Sequence, residues 1–226
     1  MFRALFKGWL GEKSTQLGMW LYLDEQVYRR FHDVIVPSRN GTTQIDHVVV
    51  SVYGIFVVET KNHSGWIFGD EHAAQWTAVH YGKKFSFQNP LRQNYRHMQC
   101  LAEYLRLPPD LIYSVVFFIG ECEFKTTFPP NVMTEGLATY IKQFSRPLLT
   151  PEQAGAVVSA LASLKANPSL TKARHLQSLE ERLSSTTICP ICGGALVQRV
   201  ARKGTNAGNP FWGCSNFPRC RYTRPA

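Results

Sequence analysis

Two runs rich in valine and isoleucine, Gln44–Ser51 and Ile55–Thr60, flank Tyr53-Gly54. No other feature constrains the fold as strongly. β-Branched runs either side of a short glycine-containing break read as a β-hairpin, with both strands largely buried. Three charged residues interrupt the apolar pattern: Asp46 on the first strand, Glu59 and Lys61 on the second. Glu59 and Lys61 are two apart, so they project from one face. If Tyr53-Gly54 forms the turn, Asp46 falls opposite Lys61. With the turn one residue earlier, it falls opposite Glu59. Either register puts all three on one face, at the strand ends away from the turn. Charges at a core edge are costly unless compensated. Two readings account for them: an ion pair on the rim of a sheet, or a reactive cluster. In the second, the carboxylates hold a divalent cation and the lysine orients a water and offsets phosphate charge. Spacing alone leaves both open.

The rest of the chain supplies the other layers of an α/β domain. A helix is expected over residues 11–26, burying Leu17, Trp20, Leu21 and Leu23. A strand at Val34–Pro37 and a turn at Ser38–Gly41 follow. Trp66–Phe68 and Trp76–His80 read as short strands, with Trp66 and Trp76 as packing residues. Asn89-Pro90 opens a helix to about Leu105, with Asn89 as cap. Tyr113–Gly120 is a strand buried on both faces, and Leu137–Phe144 a short helix. Thr150, Pro151 and Gln153 form a capping box for a helix to Lys165. A helical stretch from Thr171 to Leu183 precedes the polar Ser184–Thr187. These boundaries give an α/β domain over 10–165, a helical spacer and linker over 166–187, and a cysteine module over 188–226.

Several separated motifs agree with one family. Gln44-Ile45-Asp46-His47, Gly54–Asn62, Gly65-Trp66, and Asn89-Pro90 with Gln93, Asn94 and His97 resemble the nuclease-related domain family over residues 10–125. That family is similar in fold to PD-(D/E)xK nucleases. The resemblance implies a restriction-endonuclease-like mixed sheet flanked by helices. It also implies that Asp46 and Glu59 are ligands of Mg²⁺ or Mn²⁺ and that Lys61 is the catalytic lysine. Glu12, on the first helix, is implied as a supporting acid, and Gln93 is placed near the site. Gln44, in the same motif and on the face of Asp46, is a candidate for positioning water or phosphate. Gln93 and His97 share a helix face; for His97 a structural role is the commoner case.

Cys189, Cys192, Cys214 and Cys220 follow the pattern C-x2-C-x21-C-x5-C. Two knuckles of two thiolates each can close a tetrahedral structural Zn²⁺ site. Cys100 and Cys122 sit alone in apolar runs and read as core residues. From Thr186 to Ala226 there are six basic residues and no acid, so two-thirds of the net charge of +9 lies there. That imbalance points to a polyanion. The segment also resembles the C-terminal zinc ribbon of bacterial type IA DNA topoisomerases, through Cys189-Pro190-x-Cys192-Gly193-Gly194 and Asn209–Cys220. Such ribbons are associated with single-stranded DNA. Phe211, Trp212, Phe217 and Tyr222 alternate with Arg219, Arg221 and Arg224, a composition suited to stacking bases while following phosphates. Trp212 or Phe217 is expected in the ribbon's own core.

No apolar run approaches the roughly 18 residues of a membrane span, and Met1–Leu10 is broken by Arg3 and Lys7. A cytoplasmic protein without a membrane partner is expected. The reading that emerges is a Mg²⁺-dependent deoxyribonuclease tethered to DNA by a zinc ribbon. The alternative is a non-catalytic DNA-binding or DNA-processing factor that keeps the nuclease fold as a scaffold. RNA is the weaker substrate, since nothing in the sequence reads a 2′-hydroxyl.

Overall fold

A computed structural model describes residues 22–218 and 220–226. The expected first helix therefore falls outside the described residues up to Leu21, and so do Glu12 and Arg219. The chain divides into two compact units. One comprises the described residues up to Val36 together with Gln44–Asn167; the other comprises Pro37–Thr43 and Pro168–Ala226.

The first unit is mixed α/β. Strands β1 (Arg29–Ser38), β2 (Gly41–Ser51), β3 (Gly54–Asn62), β7 (Ile112–Ile119) and β9 (Val132–Met133) form a five-stranded sheet in the order β1-β2-β3-β7-β9. β2 and β3 are antiparallel, with Ser51 opposite Gly54 and His47 opposite Val58. The turn is thus Val52-Tyr53, the earlier of the two positions the sequence allows. Gly54 has φ +133°, and a Cβ there would lie 2.6 Å from the Tyr113 ring. A side chain at that position is excluded twice, by backbone and by space. The Val52 carbonyl accepts from Leu148 N and Leu149 N at 2.8 and 3.0 Å, which pins the turn.

β3 then pairs in parallel with β7, from Ile55 opposite Ile112 to Asn62 opposite Ile119. The crossover between them carries β4 (Gly65–Phe68), β5 (Gln75–His80), β6 (Lys83–Gln88) and helix α1 (Pro90–Leu105). With β8 (Cys122–Phe124), β4 to β6 make a second sheet in the order β6-β5-β4-β8. Two cores result. Val49, Phe56, Val58 and Val115 pack on Leu137 and Ile141 of α2 (Leu137–Lys142). Ile67, Trp76 and Ala78 of the second sheet pack with Val116, Phe118 and Val132. α3 (Pro151–Ala166) begins on the expected capping box and buries Val157, Leu161 and Leu164.

His47 lies on the β2 face opposite that of Asp46, fully buried, with its Nδ1 2.7 Å from His32 Nδ1. Burial, and then the neighbouring His32, drives its pKa down to about 3, so the pair is held by one neutral ring donating to the other.

In the second unit, α4 (Lys172–Ser184) buries His175 and Arg182. His175 Nδ1 lies 2.8 Å from Thr42 Oγ1, and Arg182 donates to the Thr42 carbonyl at 3.3 Å. The tip of the β1–β2 hairpin, Pro37–Thr43, and α4 are therefore packed together, in a stretch the sequence marks only as a spacer. A three-stranded antiparallel sheet follows: β10 (Leu196–Val200), β11 (Pro210–Cys214) and β12 (Thr223–Pro225).

Candidate functional site

The β2–β3 ladder extends to His47 and Val58. Beyond it, the Asp46 carboxylate takes over as acceptor. Thr60 donates its backbone N–H and its hydroxyl to Asp46 Oδ2, each at 2.8 Å. Continuing the register puts Asp46 opposite Glu59. Glu59 is 2% exposed. Its Oε1 accepts from Lys61 Nζ at 2.6 Å, and its Oε2 lies 3.2 Å from His97 Nε2. Lys61 also donates to Gln93 Oε1 at 2.9 Å. Gln93 and His97 come from one face of α1, as their spacing requires.

The position of α1 is fixed by two asparagines. Asn89 Oδ1 caps the helix through Leu91 N, while its Nδ2 donates to the carbonyls of Asp70, Glu71 and Ala73. Asn94, fully buried, spans the Val57 carbonyl, Ser114 Oγ and the Val115 carbonyl through its Nδ2 at 2.9–3.0 Å. One amide thus clamps the helix to β3 and β7, beside the strand that carries Glu59.

The two acids have opposite electrostatics. Burial raises the Asp46 pKa to about 6, helped by the neighbouring Glu59 charge and only partly offset by Thr60 and Lys61. Burial also works to raise Glu59, but the His97 hydrogen bond and the Lys61 ammonium outweigh it and hold Glu59 below its ordinary value. The site therefore keeps one carboxylate ionised and drives its neighbour towards the proton. A cation held by the pair would replace that proton.

Each expected residue within the described part of the chain has a definite place. Asp46, Glu59, Lys61 and Gln93 are brought together. Gln44 is bonded instead to Asp33, Nε2 to Oδ1 at 2.8 Å. His97, read from sequence as more often structural, touches Glu59. Thr60 and Asn94 carry essential contacts that periodicity does not reveal. Trp76 is 1% exposed, as a packing residue should be, but Trp66 is 51% exposed; it lies on the outer face of the second sheet and not in its core.

In the ribbon, the Sγ atoms of Cys189, Cys192, Cys214 and Cys220 lie within 4.8 Å of one another. Among the described residues this is the one group of three or more potential ligands so clustered. The Cys189 N–H donates to Gly194 O and the Gly193 N–H to Cys189 O, which closes the first knuckle. Asn216 directs its backbone N–H at Cys214 Sγ and its amide at Cys192 Sγ, at 3.4 and 3.5 Å. Burial works to raise the Cys192 thiol, yet hydrogen bonds led by that of Gly194 draw it down to about 7. Four converging thiols, with donors already aimed at sulfur, fit a structural Zn²⁺. Trp212 and Tyr222 pack against the thiol cluster. Phe217 is 58% exposed, with the Arg199 guanidinium 5.8 Å from its ring centroid. Phe211 is half-buried and Arg221 exposed, while Arg224 donates to the Ser185 carbonyl at 2.9 Å.

Comparison with known proteins agrees with both parts. The nuclease-related domain matches residues 7–119. A topoisomerase DNA-binding C4 zinc finger matches residues 186–226. The chain belongs to the nuclease-related domain family. It is also similar to an uncharacterized protein of Bacillus anthracis, 45% identical over 121 residues. That match covers 53% of this chain and 56% of the relative, so the chain spans little more than half of that protein. No solved structure matches the chain. Among the described residues, no helix is long and apolar enough to cross a membrane.

Proposed function

We propose that this protein is a metal-dependent phosphodiesterase acting on DNA, with the ribbon as a DNA tether that prefers single strands. The observation that carries the reading is the asymmetric pair of acids, Glu59 buried and Asp46 half-buried. Glu59 is ionised by Lys61 and His97, and Asp46 is pushed up to about 6. A structural ion pair needs one acid; the second is a net cost unless a cation joins them. Asp46 and Glu59 are the residues that would hold Mg²⁺ or Mn²⁺, with Glu12 as the further acid. Such an ion supplies Lewis acidity to a phosphoryl oxygen and a more acidic water. Lys61, steadied by Gln93, offsets phosphate charge and orients a water. His97 positions Glu59.

One observation favours the scaffold alternative: Lys61 already holds Glu59 at 2.6 Å, where a cation would compete. One assay separates the two. Labelled single- and double-stranded DNA is incubated with the full chain and Mg²⁺, Mn²⁺ or EDTA, beside Asp46→Ala, Glu59→Ala and Lys61→Ala. Metal-dependent cleavage should fall by at least about a hundredfold in each variant. Cleavage undiminished in Asp46→Ala sinks the assignment, and binding without cleavage by any preparation establishes the scaffold reading.

A further inference from the structure

Among the described residues, Trp66 lies on the face of the second sheet turned away from its buried cluster and is 51% exposed. Ile67 and Ala78 are paired in register and point inward. Strand alternation then puts Trp66, its partner Val79 and, next in the row, Lys84 on the opposite face. Lys125 reaches over the indole, its Nζ 5.0 Å from the ring centroid. At the end of the β5–β6 hairpin, Tyr81 is 91% exposed and holds φ +47°. Tyr81 and Gly82 both hold positive φ, as a two-residue hairpin turn of the primed type requires, and the turn lifts the Tyr81 ring clear of the sheet. Between Ser64-Gly65-Trp66 and His80-Tyr81 runs a groove of about 710 Å³, with Glu121 at its edge. Gly65 keeps its floor low, for a Cβ there would lie 2.3 Å from the Val79 carbonyl. Ser64 is three residues beyond Lys61, at most about 10 Å of extended chain.

We propose that this groove and the Trp66 face bind an unpaired nucleotide of single-stranded DNA adjoining the Glu59–Lys61 site; the placement rests on the DNA reading above. An exposed flat ring with a cation in the same row has the composition of a stacking platform: the base displaces Lys125 from the face of Trp66, Tyr81 offers a second face, and Lys84 meets a backbone phosphate. Two acids share the surface. Glu123 is satisfied by Lys125 at 2.5 Å, and Glu121 is placed to accept from a base amino group rather than to meet a phosphate.

The test uses the full chain and an oligonucleotide bearing 5-iododeoxyuridine, photo-crosslinked without divalent metal and mapped by mass spectrometry. Crosslinks to Trp66 or Tyr81 are expected. In parallel, binding of a short labelled oligo(dT) is titrated for the parent, Trp66→Leu and Trp66→Phe. The Leu variant should bind about fivefold to 150-fold more weakly, the range for one lost base–aromatic stack, while the Phe variant retains most of the affinity. Far-ultraviolet circular dichroism and the thermal melting midpoint should be equal in all three, which separates a lost stack from a lost fold. Crosslinks confined to residues 186–226, together with unchanged affinity in Trp66→Leu, overturn the platform even if the parent cleaves DNA. Failure of the parent to bind oligo(dT) at all also overturns it and favours a protein partner for this face. A Trp66 crosslink and weakened binding in a parent that cleaves nothing support the platform while removing the catalytic reading.

Discussion

Thr60 gives both its backbone N–H and its hydroxyl to a single oxygen of Asp46, each at 2.8 Å. These two hydrogen bonds substitute for the strand pairing that β2 no longer provides, and they fix one carboxylate oxygen. Both donations favour the charged form of Asp46, against burial and the Glu59 charge that push it up to about 6.

Replacing Thr60 with valine tests this balance. A pKa raised in the folded chain means that Asp46 contributes stability below the ordinary carboxylate pKa of about 3.9, and that this contribution is lost as pH rises through about 6. A cation competes with the same proton, so Mn²⁺ affinity should fall as pH drops below about 6. Thr60→Val removes one donor and moves that limb to higher pH. Mn²⁺ titrations at a series of pH values read it directly; an unmoved limb would show that the hydroxyl does not tune Asp46.

Asn94→Ala leaves two buried carbonyls and a serine hydroxyl without their shared donor. A loss of at least about 2 kcal/mol is expected in chemical denaturation, since each buried group left unsatisfied costs about 1–3 kcal/mol. Because α1 also carries Gln93 and His97, activity should fall in the same variant even where it remains folded. A neutral Asn94→Ala would mean that α1 is held by its apolar contacts alone.

One zinc per chain is expected by elemental analysis. Cys214→Ser should lose it while the far-ultraviolet signal of the first unit persists, because the metal supplies most of the folding energy of so small a sheet. Zinc retained at full occupancy in that variant would falsify the four-cysteine assignment.

Ending the chain after Ser184 removes the ribbon and its six basic residues but keeps α4 on the hairpin tip. The shortened protein should still cut DNA at high enzyme concentration and low salt. Its affinity for single strands should depend less steeply on salt, by roughly 0.7 in slope per lost phosphate contact, or about three units for four contacts. An unchanged slope would show that the ribbon does not touch DNA.

What the sequence reveals of this protein follows the range of the interactions involved. Local rules find α1 and α3, because Asn89, Pro90, Thr150 and Gln153 act on their own helices. The thiol cluster is legible from spacing because each pair needs only a tight turn. The shared face of Asp46, Glu59 and Lys61 follows from period two, and β-hairpin geometry narrows the register to two. Choosing between the two required contacts 60 to 100 residues away, from Tyr113 and from Leu148 and Leu149. β6 went unmarked because Lys83–Gln88 is mostly polar and pairs at a sheet edge. β1 extends five residues before the apolar Val34 for a similar reason. The exposure of Trp66 could not be read either, since a tryptophan in a short strand looks the same whichever face is covered.

The Val52-Tyr53 turn has a consequence remote from its own surroundings. Loop tips on hairpins are the usual places to splice in a tag or an extra residue. Here the place of the turn sets the whole ladder: with Ser51 opposite Gly54, Asp46 meets Glu59, and a slip of one pairing step turns a strand's side chains over. An insertion between Val52 and Tyr53 that re-closed as a two-residue turn would therefore misalign the acids without touching them. In this hairpin the alignment of Asp46 with Glu59 is set at the end remote from both.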